Sequence, residues 1–90
     1  MPRYVIEREM EGAGNMNQDE LRESAQRSLE ALGEVGPRIQ WLYSWVTDDK
    51  MYCLFIAPDE EAIRLHSEIS GFPVTRIARV RGLLDPSNYS

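Results

Sequence analysis

The strongest hydrophobic signal in this chain lies between Ile39 and Ala57. Two runs rich in aromatic and β-branched residues flank the short polar break Asp48-Asp49. That pattern predicts a β-hairpin with a two-residue turn. With Thr47 opposite Lys50, counting outward sets Trp45 against Tyr52, Tyr43 against Leu54 and Trp41 against Ile56. Side chains alternate across a strand, so these six share one face. Leu42, Ser44, Val46, Met51, Cys53, Phe55 and Ala57 fall on the other. Both faces are mostly apolar, whereas a hairpin wetted on one side alternates apolar with polar. Both faces are therefore expected to be covered, one by helices of this chain and the other by a second subunit.

The flanking segments supply the helices. Arg3 to Glu9 reads as a strand with Tyr4, Ile6 and Arg8 on one face and Val5, Glu7 and Glu9 on the other. Glu11 to Asn15 is loop chemistry. Asn17 with Glu20 three residues on resembles a capping box. Leu21, Ala25, Leu29 and Leu32 then recur at helical spacing, opposite a charged face. Gly33 and Gly36-Pro37 end that helix. After the hairpin, Pro58 and Asp59 open a second helix, with Glu60 and Glu61 suited to its first turn. Ala62, Ile63, His66 and Ile69 form its inner stripe, with Leu65 at the edge, and Gly71 and Pro73 stop it. Val74 to Leu84 reads as the last strand and Asp85 to Ser90 as a frayed polar tail.

Strand, helix, strand, strand, helix, strand is the split βαβ arrangement of the ferredoxin-like α+β fold. It predicts a two-layer sandwich with an antiparallel sheet in the order 4-1-3-2 and both helices on one face. The Leu42/Ser44/Val46/Cys53/Phe55 face suits packing under helices. The Trp41/Tyr43/Trp45/Tyr52 face carries rings with polar handles and is assigned to the open side. A patch of that kind marks an interaction site.

Composition narrows the partners. The 90 residues form one domain, 1–90. Net charge of −5 argues against nucleic acid or an anionic membrane as the general partner, although Arg76, Arg79 and Arg81 make a local basic patch. One cysteine, Cys53, excludes an internal disulfide and fits a cytoplasmic protein. No apolar run approaches the ~20 residues of a membrane span, and the N-terminus carries no signal-peptide pattern.

Particular residues carry a family resemblance. They are the opening Pro2-Arg3-Tyr4-Val5-Ile6-Glu7-Arg8, then Gly36-Pro37, Trp41 and Ser44, then Val46-Thr47-Asp48-Asp49-Lys50 with Tyr52-Cys53. Ala57-Pro58-Asp59-Glu60-Glu61-Ala62-Ile63-Arg64, His66, Gly71-Phe72-Pro73 and Asp85-Pro86 continue it. Together they resemble a family of small bacterial ferredoxin-like proteins of unassigned function that includes a nickel-binding, dimeric member. The resemblance implies nickel or another divalent metal as a cofactor. Family members often carry His where this chain has Tyr43 and a second Cys where it has Leu29. Loss of that imidazole removes a good ligand for borderline metals.

The candidate metal ligands are Glu7, Tyr43 and His66, the last being the only histidine. Each has a plainer reading. Glu7 and Glu9 suit ion pairs with Arg79 or Arg81 on a neighbouring strand, His66 suits a hydrogen-bonded helix face, and Cys53 suits a small buried apolar residue. No catalytic residue is assigned, because no phosphate loop, HExxH, CxxC or nucleophile elbow occurs. Trp41, Tyr43, Trp45 and Tyr52 form either a homodimer face or the wall of a ligand site. Three functions follow: a metal-binding homodimer, a small-molecule-binding or enzymatic dimeric α/β-barrel, and a non-catalytic interaction module.

Overall fold

The structure is a computed structural model that describes residues 1–88. Its strands are β1 (Arg3–Glu9), β2 (Gln40–Val46), β3 (Lys50–Ile56) and β4 (Arg76–Arg79), and its helices α1 (Gln18–Val35) and α2 (Glu60–Ser70). The sheet order is β2-β3-β1-β4, all pairs antiparallel. Read from the other edge this is the expected 4-1-3-2, and the fold is ferredoxin-like α+β. Among the described residues no helix is long and apolar enough to cross a membrane.

Local chemistry sets the helix ends. Asn17 Oδ1 accepts from the Glu20 amide at 2.9 Å, and Glu20 Oε1 accepts from the Asn17 amide at 3.1 Å, a complete capping box. Asp59 caps α2 by accepting from the Ala62 amide at 2.9 Å. Gly71 closes that helix at φ 80°, a conformation that favours glycine. Helix α1 runs through Gly33 and stops at Gly36.

The core lies between the sheet and the helices. Tyr4 and Ile6 of β1, Cys53 and Phe55 of β3 and Ile63 of α2 are all buried there. Burying a side chain the size of Phe or Ile contributes about 1.5–3 kcal/mol. The strand face beneath the helices is the even-numbered face of β1, where Tyr4 opposes Phe55, Ile6 opposes Cys53 and Arg8 opposes Met51. Val5, Glu7, Tyr52 and Leu54 face the other way.

Several sequence expectations need correction. Trp41 pairs with Phe55, not Ile56, because β2 carries one extra residue between Trp41 and Tyr43. Leu42 is that extra residue, and the bulge turns Trp41 to the helix side while Tyr43 and Trp45 stay on the open side. Leu29 points outward at 57% exposure, and Ile69 is exposed as well. The fully buried positions are the small residues Ser28 and Ala31 on α1 and, beside the expected Ile63 and His66, Ser67 and Ser70 on α2. Finally, β4 ends at Arg79, so Leu83 and Leu84 lie outside the sheet and exposed. Asp85 then accepts from the Ser87 amide and hydroxyl and starts a short turn over Pro86–Asn88, so the described part of the tail is structured. Tyr89 and Ser90, the rest of the expected frayed tail, lie outside the described residues.

The hairpin turn has the expected form. Thr47 donates its amide to Lys50 O at 2.9 Å. Its tip docks on the β1–α1 loop: Met10 N donates to Asp49 O and Gly14 N to Asp48 O, each at 2.9 Å. Gly14 fits because a Cβ there would lie 2.8 Å from Asp48 Cα.

Candidate functional site

The two faces of the sheet offer different chemistry. On the open face, Tyr43 and Trp45 are each 51% exposed, and their rings meet edge to face at 4.8 Å. Tyr52 stands opposite both Trp45 and Glu7, next to this pair. Glu7 is half-buried, and its carboxylate lies 3.5 Å from the Lys50 ammonium. The ion pair thus runs to β3, not to Arg79 or Arg81.

On the helix side, a cavity of about 180 Å³ lies between α1 and the edge strand β2. Partly exposed residues form its rim: Leu21, Ser24 and Ala25 from α1, and Trp41 and Ser44 from β2. Trp41 Nε1 donates to Ser44 Oγ at 2.9 Å, which fixes the indole there. Buried residues form the floor: Arg8, Ser28, Met51, Cys53, Phe55 and Phe72.

Arg8 is the sole charged residue in that lining. It is 1% exposed. Its Nη1 donates to Ser67 Oγ at 3.0 Å and to Pro73 O at 2.9 Å, and its guanidinium carbon sits 5.6 Å from the Phe72 ring centre. Among the described residues Nε has no partner, and no carboxylate pairs with the guanidinium. A buried cation without a counter-charge is costly, by several kcal/mol in general, and its hydrogen bonds and the aromatic contact offset only part of that.

His66 lies 1% exposed behind the same floor, its ring 5.1 Å from that of Phe55. Nε2 is 3.0 Å from Ser28 O, a pure acceptor, so Nε2 carries the hydrogen and donates. Nδ1 is then the acceptor nitrogen and has no partner among the described residues. Burial holds the imidazole below its usual 6.5; the Ser28 carbonyl opposes this, and the charge on Arg8 adds to the lowering. Burial thus favours the neutral ring.

The structure does not gather the proposed ligands. Glu7 and Tyr43 stand on the open face and His66 under the helices, with the sheet between them. Among the described residues no three His, Cys, Asp or Glu side chains converge. The aromatic wall also divides: Tyr43, Trp45 and Tyr52 remain together, while the bulge takes Trp41 into the cavity rim. Cys53 lies opposite Ser44 and buried, as expected. Sequence reasoning passed over Arg8. The available signal was a charge on the same strand face as Tyr4 and Ile6.

Comparison with known proteins completes the picture. A family described as nickel responsive protein SCO4226-like matches residues 4–80. The crystal structure of SCO4226 from Streptomyces coelicolor A3(2) superposes with a TM-score of 0.74 at 22% identity, covering 91% of this chain and 99% of that one. At that identity the likeness speaks for the fold. A search of curated proteins found no match.

Proposed function

The chain belongs to the SCO4226-like family of nickel responsive proteins, and from that membership we propose that it is a cytoplasmic homodimer that binds a divalent metal ion at its open sheet face. The observation that supports this reading is the composition of that face. It joins an apolar aromatic patch, which favours burial against another surface, to oxygen donors on Glu7, Tyr43 and Tyr52. A twofold contact duplicates every donor on the face. One protomer alone does not fit nickel. Its single imidazole is held by Ser28 on the far side of the sheet, and carboxylate and phenol oxygens suit harder ions.

Equilibrium dialysis against Ni²⁺, Zn²⁺ and Mn²⁺, with light scattering on the same samples, tests both parts. The expected result is a dimer that takes up metal at tens of micromolar and loses that uptake in Glu7→Gln. Failure of every ion to bind at about 50 μM, which corresponds to roughly 6 kcal/mol, removes the metal reading. A monomer by light scattering removes the dimer.

A further inference from the structure

The cavity between α1 and β2 lies on the opposite side of the sheet from the open face, and its uncompensated charge asks for an explanation of its own. We infer that this cavity is a binding site for a small monoanionic carboxylate with an apolar body, paired with Arg8 at the floor.

Three features select this class. The first is charge. Arg8 is buried, lacks an acidic partner among the described residues, and is the one charged group in the lining. A single negative charge balances it, whereas a cation is repelled and a dianion leaves excess charge in an apolar place. The second is geometry. Both hydrogen bonds of the guanidinium leave from Nη1, and buried Nε has no partner among the described residues. Nη2 makes no hydrogen bond among the described residues and is left to meet a carboxylate oxygen entering from the cavity. The third is the wall. Phe55, Phe72, Met51, Leu21 and the Trp41 ring surround the space, with serine hydroxyls as the other polar groups. An apolar cavity of about 150 Å³ accepts benzene, so about 180 Å³ suits a ring or branched chain bearing one carboxylate.

The test compares benzoate with benzyl alcohol, which has the same ring without the charge. Both are titrated into the full chain, following the Trp41 indole N–H signal by NMR, since that group sits on the rim. Benzoate is expected to shift it with half-saturation below about 10 mM, and benzyl alcohol to bind at least about tenfold more weakly. Arg8→Met should erase the difference between the two probes. Ala25→Leu, which fills the space from the rim while leaving Arg8 in place, should erase the benzoate shift. Should Arg8→Met fail to fold, the two probes on the unaltered chain and the Ala25→Leu variant still decide. No benzoate response up to about 10 mM, an equal response to both probes, or an unchanged response in Ala25→Leu overturns the inference. The assay uses no metal and reads no face of the sheet that a dimer covers, so its outcome is separate from that of the metal and dimer reading.

Discussion

His66 shows how one side chain makes stability depend on pH. The folded state holds its imidazole neutral by burial, below the 6.5 of the free group. Between those two values the unfolded chain binds a proton that the folded chain does not. Stability is therefore full above pH 6.5 and is lost as pH falls from there toward the lowered folded value. Urea midpoints measured from pH 7.5 down to 5 should fall in the unaltered chain. His66→Gln can keep a donor toward Ser28 O without titrating, so its midpoint should fall less across the same window. An equal fall in both would assign the effect to the carboxylates. Arg8, by contrast, illustrates what residue types alone conceal. Its place beside Tyr4 and Ile6 on one strand face followed from alternation, but a charge at that position reads equally well as the frayed end of the stripe. Only the third dimension shows Ser67, Pro73 and Phe72 closing over it.

At the scale of elements, the hairpin is tied down at its tip. Gly14 is the point of closest approach: a methyl group there would lie 2.8 Å from backbone Cα of Asp48 and 3.1 Å from Thr47 O. Neither atom belongs to a flexible side chain, so the loop or the tip must move. Gly14→Ala is expected to destabilise the fold by about 1–3 kcal/mol, read from urea unfolding, and to weaken amide protection at Met10 and Gly14. No loss of stability would mean that the loop adapts freely. Element order, both helix caps and the Thr47–Lys50 turn were legible in the sequence, because each rests on local residue chemistry. The Leu42 bulge was not, since counting by twos assumes an unbroken pleat. That one slip carries Trp41 from the open face to the cavity. Leu29 and β4 were misread for a related reason. The direction of a helix stripe and the length of an edge strand are set by what packs against them, as with Ser28 and Ala31 turning inward in place of Leu29.

At the scale of the molecule, the two sides of the sheet divide the work. The helix side holds the core and the cavity, and the other side presents Tyr43 and Trp45 half-exposed beside Glu7 and Tyr52. Trp45→Glu should leave the far-ultraviolet circular dichroism spectrum unchanged, since the ring takes no part in the core. Two such charges facing one another across a twofold contact repel and lose hydration. Light scattering should therefore show the proposed dimer giving way to monomer, with dissociation at least about 100-fold easier. A variant as dimeric as the unaltered chain would place the contact elsewhere. The candidate site was legible only in part. Alternation along β2 placed Tyr43 and Trp45 on the open side, but a proposed ligand set drawn from β1, β2 and α2 could not reveal that a sheet would stand between its members.

The extra residue at Leu42 has one more effect. It sits on β2, an outermost strand of the sheet, and local twisting there disrupts the regular row of amides and carbonyls that another chain would need for strand-by-strand addition. Growth into fibres through that border is discouraged, so the flat-side pairing proposed for these molecules would not extend into an endless ribbon.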